Sequence, residues 1–195
     1  MSRLIVSSLA LLTLAGCLTR GEVEPIRRYA VEPVISVETL PPTASTVGVR
    51  PLEAARPYRE AIVFLGEGQE MGRRLRAEWA ERPREVLTRA VTDALIATQR
   101  FADVGDAANM VRPDYILTGE VRQFRENHTV TPWQAEVEVR LALRESRGVE
   151  QMWAATIRAS APLEDESASG AARALAVAVA DAAVEAAQGI ATAIP

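Results

Sequence analysis

The stretch whose residue types and spacing point to covalent chemistry is Leu14-Ala15-Gly16-Cys17. Small residues ahead of a cysteine form a lipobox. The thiol becomes a thioether carrying diacylglycerol, the peptide bond before it is cut, and the freed amino group usually takes a further acyl chain. Cys17 is the only cysteine in the chain, and what precedes it has the form this processing needs. Met1-Ser2-Arg3 is a positively charged start and Leu4 to Leu14 is an apolar run, the anatomy of an export leader. As a helix that run spans about 17 Å, against about 30 Å of bilayer hydrocarbon. It is a leader, not a span. Acyl burial contributes about 0.8 kcal/mol per CH2, and two or more chains anchor stably where one does not. The sequence therefore predicts residues 1–16 as a lipoprotein signal peptide and Cys17 as the lipidation site. The mature protein is then fixed to a membrane surface. Sorting rules read the residue after the cysteine; Leu18 rather than Asp there implies the outer membrane, facing the periplasm.

Other chemistry is sparse. His128 is the single histidine, and no second histidine or further cysteine can join it. A metal centre needs several ligands, so no metal site is expected, and His128 reads as a surface-loop imidazole. Gly-x-Ser-x-Gly is absent, so a hydrolytic triad would rest on His128 alone. The reading is non-enzymatic, with no cofactor beyond the acyl chains on Cys17. Gly66-Glu67-Gly68 is followed by acidic residues and no Lys, which makes a turn rather than a phosphate cradle. Glu164-Asp165-Glu166 reads as a solvated loop. Losing the leader moves the formal net charge from −4 to −5, which gives no footing for nucleic acid. With Cys17 acylated no thiol is left for a disulfide, so packing alone must hold the domain together.

The elements that must carry this anchor come next. Removing residues 1–16 from a chain of 195 leaves 179, enough for one domain with its own core. Cys17 to position 27 suits a flexible tether, and residues 28–195 form a single domain. Strands are expected over Arg28–Val37, Thr46–Leu52, Ala61–Leu65, Tyr115–Phe124, Trp133–Leu143 and a partner strand bearing Trp153, Ala155, Ile157 and Ala159. Between the third and fourth, Pro83 opens an amphipathic helix whose stripe is Val86, Leu87, Ala90, Val91, Ala94, Leu95 and Thr98. A closing helix, Gly170–Ala193, is capped by Ser167 or Ser169; Asp181, Glu185 and Gln188 share its wet face. Those two acids inside an apolar stretch argue against a membrane span. The order implies an α+β fold: a mainly antiparallel sheet of about five to six strands with two long helices packed on one face.

Several of these residues also carry a resemblance. Leu75-Arg76-Ala77-Glu78-Trp79-Ala80-Glu81-Arg82-Pro83, followed by its helix, resembles the most characteristic motif of the ABC-type transport auxiliary lipoprotein family (PqiC-like). Asp114-Tyr115-Ile116-Leu117 through Val121-Arg122-Gln123-Phe124 resembles the family's next strand, and Arg28-Tyr29-Ala30-Val31 the tyrosine-bearing strand after the lipidated cysteine. Val47-Gly48-Val49-Arg50-Pro51 and the stretch from Arg56-Pro57-Tyr58 to Ile62-Val63 resemble the strand pair before the helix. The resemblance implies an α/β fold and a lipoprotein that accompanies an inner-membrane ABC transporter and its MCE-domain subunit. Such systems are associated with moving lipids between the two membranes. Trp79 then has two readings, a contact for the MCE partner or the aromatic that seats the first helix on the sheet; the second is the commoner role for such a residue. Another outer-membrane machine, such as lipopolysaccharide export with its plug or assembly lipoprotein, is the alternative setting.

Overall fold

The computed structural model describes residues 24–148 and 150–195; Cys17 and the leader lie outside the described residues. Chain order is β1 (Arg27–Tyr29), β2 (Thr46–Val49), β3 (Glu53–Ala54), β4 (Ala61–Leu65), β5 (Met71–Trp79), α1 (Pro83–Ala97), β6 (Asp103–Asp106), β7 (Tyr115–Asn127), β8 (Gln134–Glu145), β9 (Gln151–Pro162) and α2 (Ala168–Ala193). The nine strands of the described residues belong to one sheet.

Strand β7 is its hub. On one edge it pairs antiparallel with β8 from Tyr115↔Glu145 to Asn127↔Gln134, and β8 pairs antiparallel with β9. On its other edge three short strands lie end to end, all parallel to it: β2 at Val49↔Leu117, β3 at Ala54↔Val121 and β4 at Leu65↔Asn127. Beyond them β6 pairs parallel with β2, β5 antiparallel with β4, and β1 parallel with β5. Five of the eight pairings are thus parallel, which corrects the expected five or six mainly antiparallel strands. The reason is local. Strands of two to four residues, as in β1, β3 and β6, are too short to show a period-2 alternation. The expected strand Arg28–Val37 shrinks to β1 for a related reason: Pro33 cannot donate to a ladder.

The β7–β8–β9 meander follows its alternation closely. Ala135, Val137, Val139, Leu141 and Leu143 of β8 are all buried. Along β7, Leu117 and Val121 are fully buried, and strict alternation would continue inward through Gln123 and Arg125. Instead the register slips between Val121 and Gln123. This bulge inserts Arg122 and turns Phe124 and Glu126 to the helix-covered face, where they are 1% and 0% exposed. A one-residue insertion exchanges the two faces of everything beyond it.

Both helices cover that face. Helix α2 lies on β8 and β9, and α1 sits beside it over β6 and β7. The α1 stripe read from the sequence is buried in full. Pro83 stands at its first position, and the Glu85 carboxylate accepts the Arg82 amide at 3.3 Å. Ser167 caps α2, its Oγ accepting the Gly170 amide at 3.0 Å. By length and mean hydropathy (1.5) α2 could cross a membrane. Its apolar side, from Leu175 through Val179, Ala182 and Ala186 to Ile190, is instead buried against the sheet. Asp181, Glu185 and Gln188 are exposed.

Candidate functional site

The strongest concentration of charge inside the domain lies where β4, β7 and the start of β8 meet. Glu126, turned inward by the bulge, has no exposed surface, and Arg74 of β5 clamps it. Arg74 Nε donates to Oε1 at 2.6 Å and Nη2 to Oε2 at 2.6 Å. The same Nη2 reaches the Glu166 carbonyl at 2.8 Å, so the guanidinium also holds the loop before α2. His128 Nε2 lies 2.7 Å from Glu126 Oε2. A carboxylate paired with Arg is an acceptor only, so the imidazole carries its proton on Nε2 and donates.

Packing fixes that imidazole on both sides. Its ring stacks on Trp133 at 3.5 Å between centroids and on Phe64 at 4.5 Å. Phe64 in turn lies over Gly72, where any Cβ would meet its ring. The His128 side chain is only 15% exposed, and its backbone amide donates to the Leu65 carbonyl at 2.8 Å. The sequence reading of a surface-loop imidazole is corrected: His128 is the middle layer of an aromatic stack. Bidentate Arg–carboxylate pairing is among the strongest polar contacts available, and here every partner is mostly buried. Both Glu126 oxygens accept hydrogen bonds, and the cluster ties β5, the turn after β7 and the loop before α2 together at one end of the sheet.

The remaining sequence-predicted residues are dispersed. Trp79 is 2% exposed and meets Phe124 edge to face at 5.7 Å, so it is a core side chain. Trp153 packs over Gly189 of α2. Glu164 and Asp165 share the Arg173 guanidinium at 3.3 and 2.5 Å. The hydrogen bond from Ser167 holds the Asp165 carboxyl below its usual range, and Arg173 adds to the effect. Among the described residues no three His, Cys, Asp or Glu side chains converge as metal ligands. On the open face, burial pushes the Tyr58 phenol above its ordinary value, with Arg125 partly opposing it.

Arg74, Glu126 and the stack were not legible as a site. Arg74 stands inside a β5 bulge, where Ala61↔Glu78 and Val63↔Arg73 leave surplus residues on β5. Glu126 sits on what alternation assigns to the wet face. The only available hint was that His128 follows a long strand and is flanked by Phe64 and Trp133 in neighbouring segments.

The family described as ABC-type transport auxiliary lipoprotein component matches residues 29–187. The chain belongs to that family, which makes it an auxiliary component of a transport system and a membrane-anchored protein of the cell envelope; the family is not one of enzymes. Among solved structures, protein XCC0632 from Xanthomonas campestris superimposes with a TM-score of 0.75 at 21% identity, covering 86% of this chain and 96% of that one. Hypothetical protein CT253 from Chlamydia trachomatis gives a TM-score of 0.53 at 8% identity over 76% and 96% of the two chains. At these identities the likeness is one of fold. No curated protein matches the chain.

Proposed function

We propose that this protein is a non-enzymatic lipoprotein subunit of an ABC/MCE-type envelope lipid-transport system. Acyl chains on Cys17 hold it at the outer membrane, and its folded domain binds the periplasm-spanning MCE-domain component. The observation that carries this reading is the family match over residues 29–187, joined to the lipobox at Leu14–Cys17. The domain's own build is consistent with an associative role, because its buried charges are committed to each other. Intact-mass measurement of the native protein should show residues 1–16 removed and Cys17 carrying diacylglycerol and an amide-linked chain. Co-purification in mild detergent should recover the MCE-domain protein encoded beside it. Recovery of an outer-membrane β-barrel in its place would assign the protein to a different machine.

A further inference from the structure

The described chain begins at Glu24, and its place on the fold orients the whole domain. Glu24 Oε2 accepts Arg76 Nη1 at 2.9 Å, which places the tether exit beside the bulge of β5. Strand β1 runs parallel to β5 and β5 antiparallel to β4, so this exit lies toward the end of the sheet where β7 finishes. Seven residue steps separate Cys17 from Glu24, a reach of at most about 24 Å. Along β7 the opposite end of the domain is about 40 Å away.

That same end carries apolar side chains that the core does not use. Ile26 is 54% exposed, Met71 42%, Leu75 85% and Val130 40%. Leu75 is raised by a specific device. Two steps along β4 are matched by five along β5, and Arg76 adopts φ +55°, a left-handed conformation that costs an arginine free energy. The bulge turns Arg74 inward to Glu126 and lifts Leu75 into solvent. Met71, Arg73 and Leu75 are all exposed along β5, a charged stem between two apolar side chains, the pattern that settles at a lipid–water boundary. Glu67 and Glu70 in the adjoining turn offset Arg27 and Arg73, so the patch has no strong charge preference and suits a zwitterionic surface.

We propose that this end of the domain rests on the bilayer to which Cys17 is attached, with Leu75, Met71 and Ile26 in the headgroup region. The opposite end, marked by Val111 at 95% exposure, faces away and is the part a periplasmic partner reaches. The proposal rests on the lipidation of Cys17. It is tested with the full acylated chain, purified from membranes and reconstituted in phosphatidylethanolamine–phosphatidylcholine vesicles, carrying a spin label at Leu75→Cys, Met71→Cys or Val111→Cys. All three positions are exposed, so the variants keep the fold, and an acylated Cys17 offers no competing thiol. The expected result is a severalfold loss of access to a water-soluble nickel relaxant at positions 75 and 71 on going from detergent-free soluble fragments of the same labelled chain, cleaved after Cys17, to vesicles, and no change at 111. Water-like access at 75 and 71 while the protein floats with the vesicles overturns the orientation and leaves the anchor standing. Protection at 111 instead inverts it. A chain that fails to float and takes label at Cys17 overturns the anchor itself, and the orientation with it.

Discussion

The two ends of the β7–β8–β9 meander are secured by different physics. Where β7 ends, a fully buried carboxylate is clamped by Arg74, approached by His128 and roofed by Phe64 and Trp133. Where β7 begins, the ties are exposed, part-buried or steric, and none is a buried ion pair. Asp114 Oδ2 accepts the Thr46 amide at 2.9 Å and its hydroxyl at 2.8 Å, Arg100 Nη2 donates to the Ile194 carbonyl at 2.6 Å, and Trp153 lies over Gly189. Surface contacts can be lost one at a time at little cost, whereas a buried ion pair fails as a unit, because each partner left alone is a desolvated charge. The end where β7 finishes is therefore the stiffer one.

That contrast can be broken most severely at Arg74. Arg74→Ala leaves Glu126 buried without its cation, and a loss of about 3–5 kcal/mol is expected in the denaturant midpoint. The double variant R74M/E126L should recover most of that loss, since apolar residues of similar volume replace such pairs at little cost. His128→Ala removes one hydrogen bond and the centre of the stack, and should cost about 2 kcal/mol by the same measurement. At the other end, Gly189→Ala sets a Cβ about 2.8 Å from Trp153 Cζ2. Crowding of that kind costs about 1–3 kcal/mol and the better helix propensity returns about 0.5–1 kcal/mol, so a net loss near 1 kcal/mol is expected, with altered Trp153 fluorescence.

The smallest effect is in acid. The Thr46 hydrogen bonds hold the Asp114 carboxyl below its usual range, so the folded state binds this proton less readily than the unfolded one. Its contribution is fully present above the ordinary carboxylate pKa and disappears as pH falls through the lowered one. Protection of the Thr46 amide against exchange, measured relative to its intrinsic rate at each pH, should fall in that window.

How much was readable in advance divides along the same strand. Helix α1, the β8 alternation and a serine cap at Ser167 or Ser169 are consequences of neighbouring residues, and the sequence displays them directly. The parallel edge of β7 depends on residues far apart: Thr46 and Asp114 are 68 positions apart, and nothing within β2, β3 or β4 announces the direction of its partner. The inward turn of Glu126 depends on a single extra residue, Arg122, that leaves no compositional mark. A site assembled by two bulges is thus invisible to periodicity, even though every one of its side chains was in plain view.

The end-to-end arrangement of β2, β3 and β4 also sets a schedule for the polypeptide as it is made and exported. Those segments emerge early, yet the strand they must line up against is synthesised only after α1 and β6. Until then Ala61–Leu65 has only β5 beside it and Val47–Val49 only β6, each with its other edge open, while β7, β8 and β9 can zip together as soon as they appear. Assembly should therefore nucleate in the second half of the chain and recruit the earlier pieces afterwards, making the interval between the two the time of greatest exposure to aggregation.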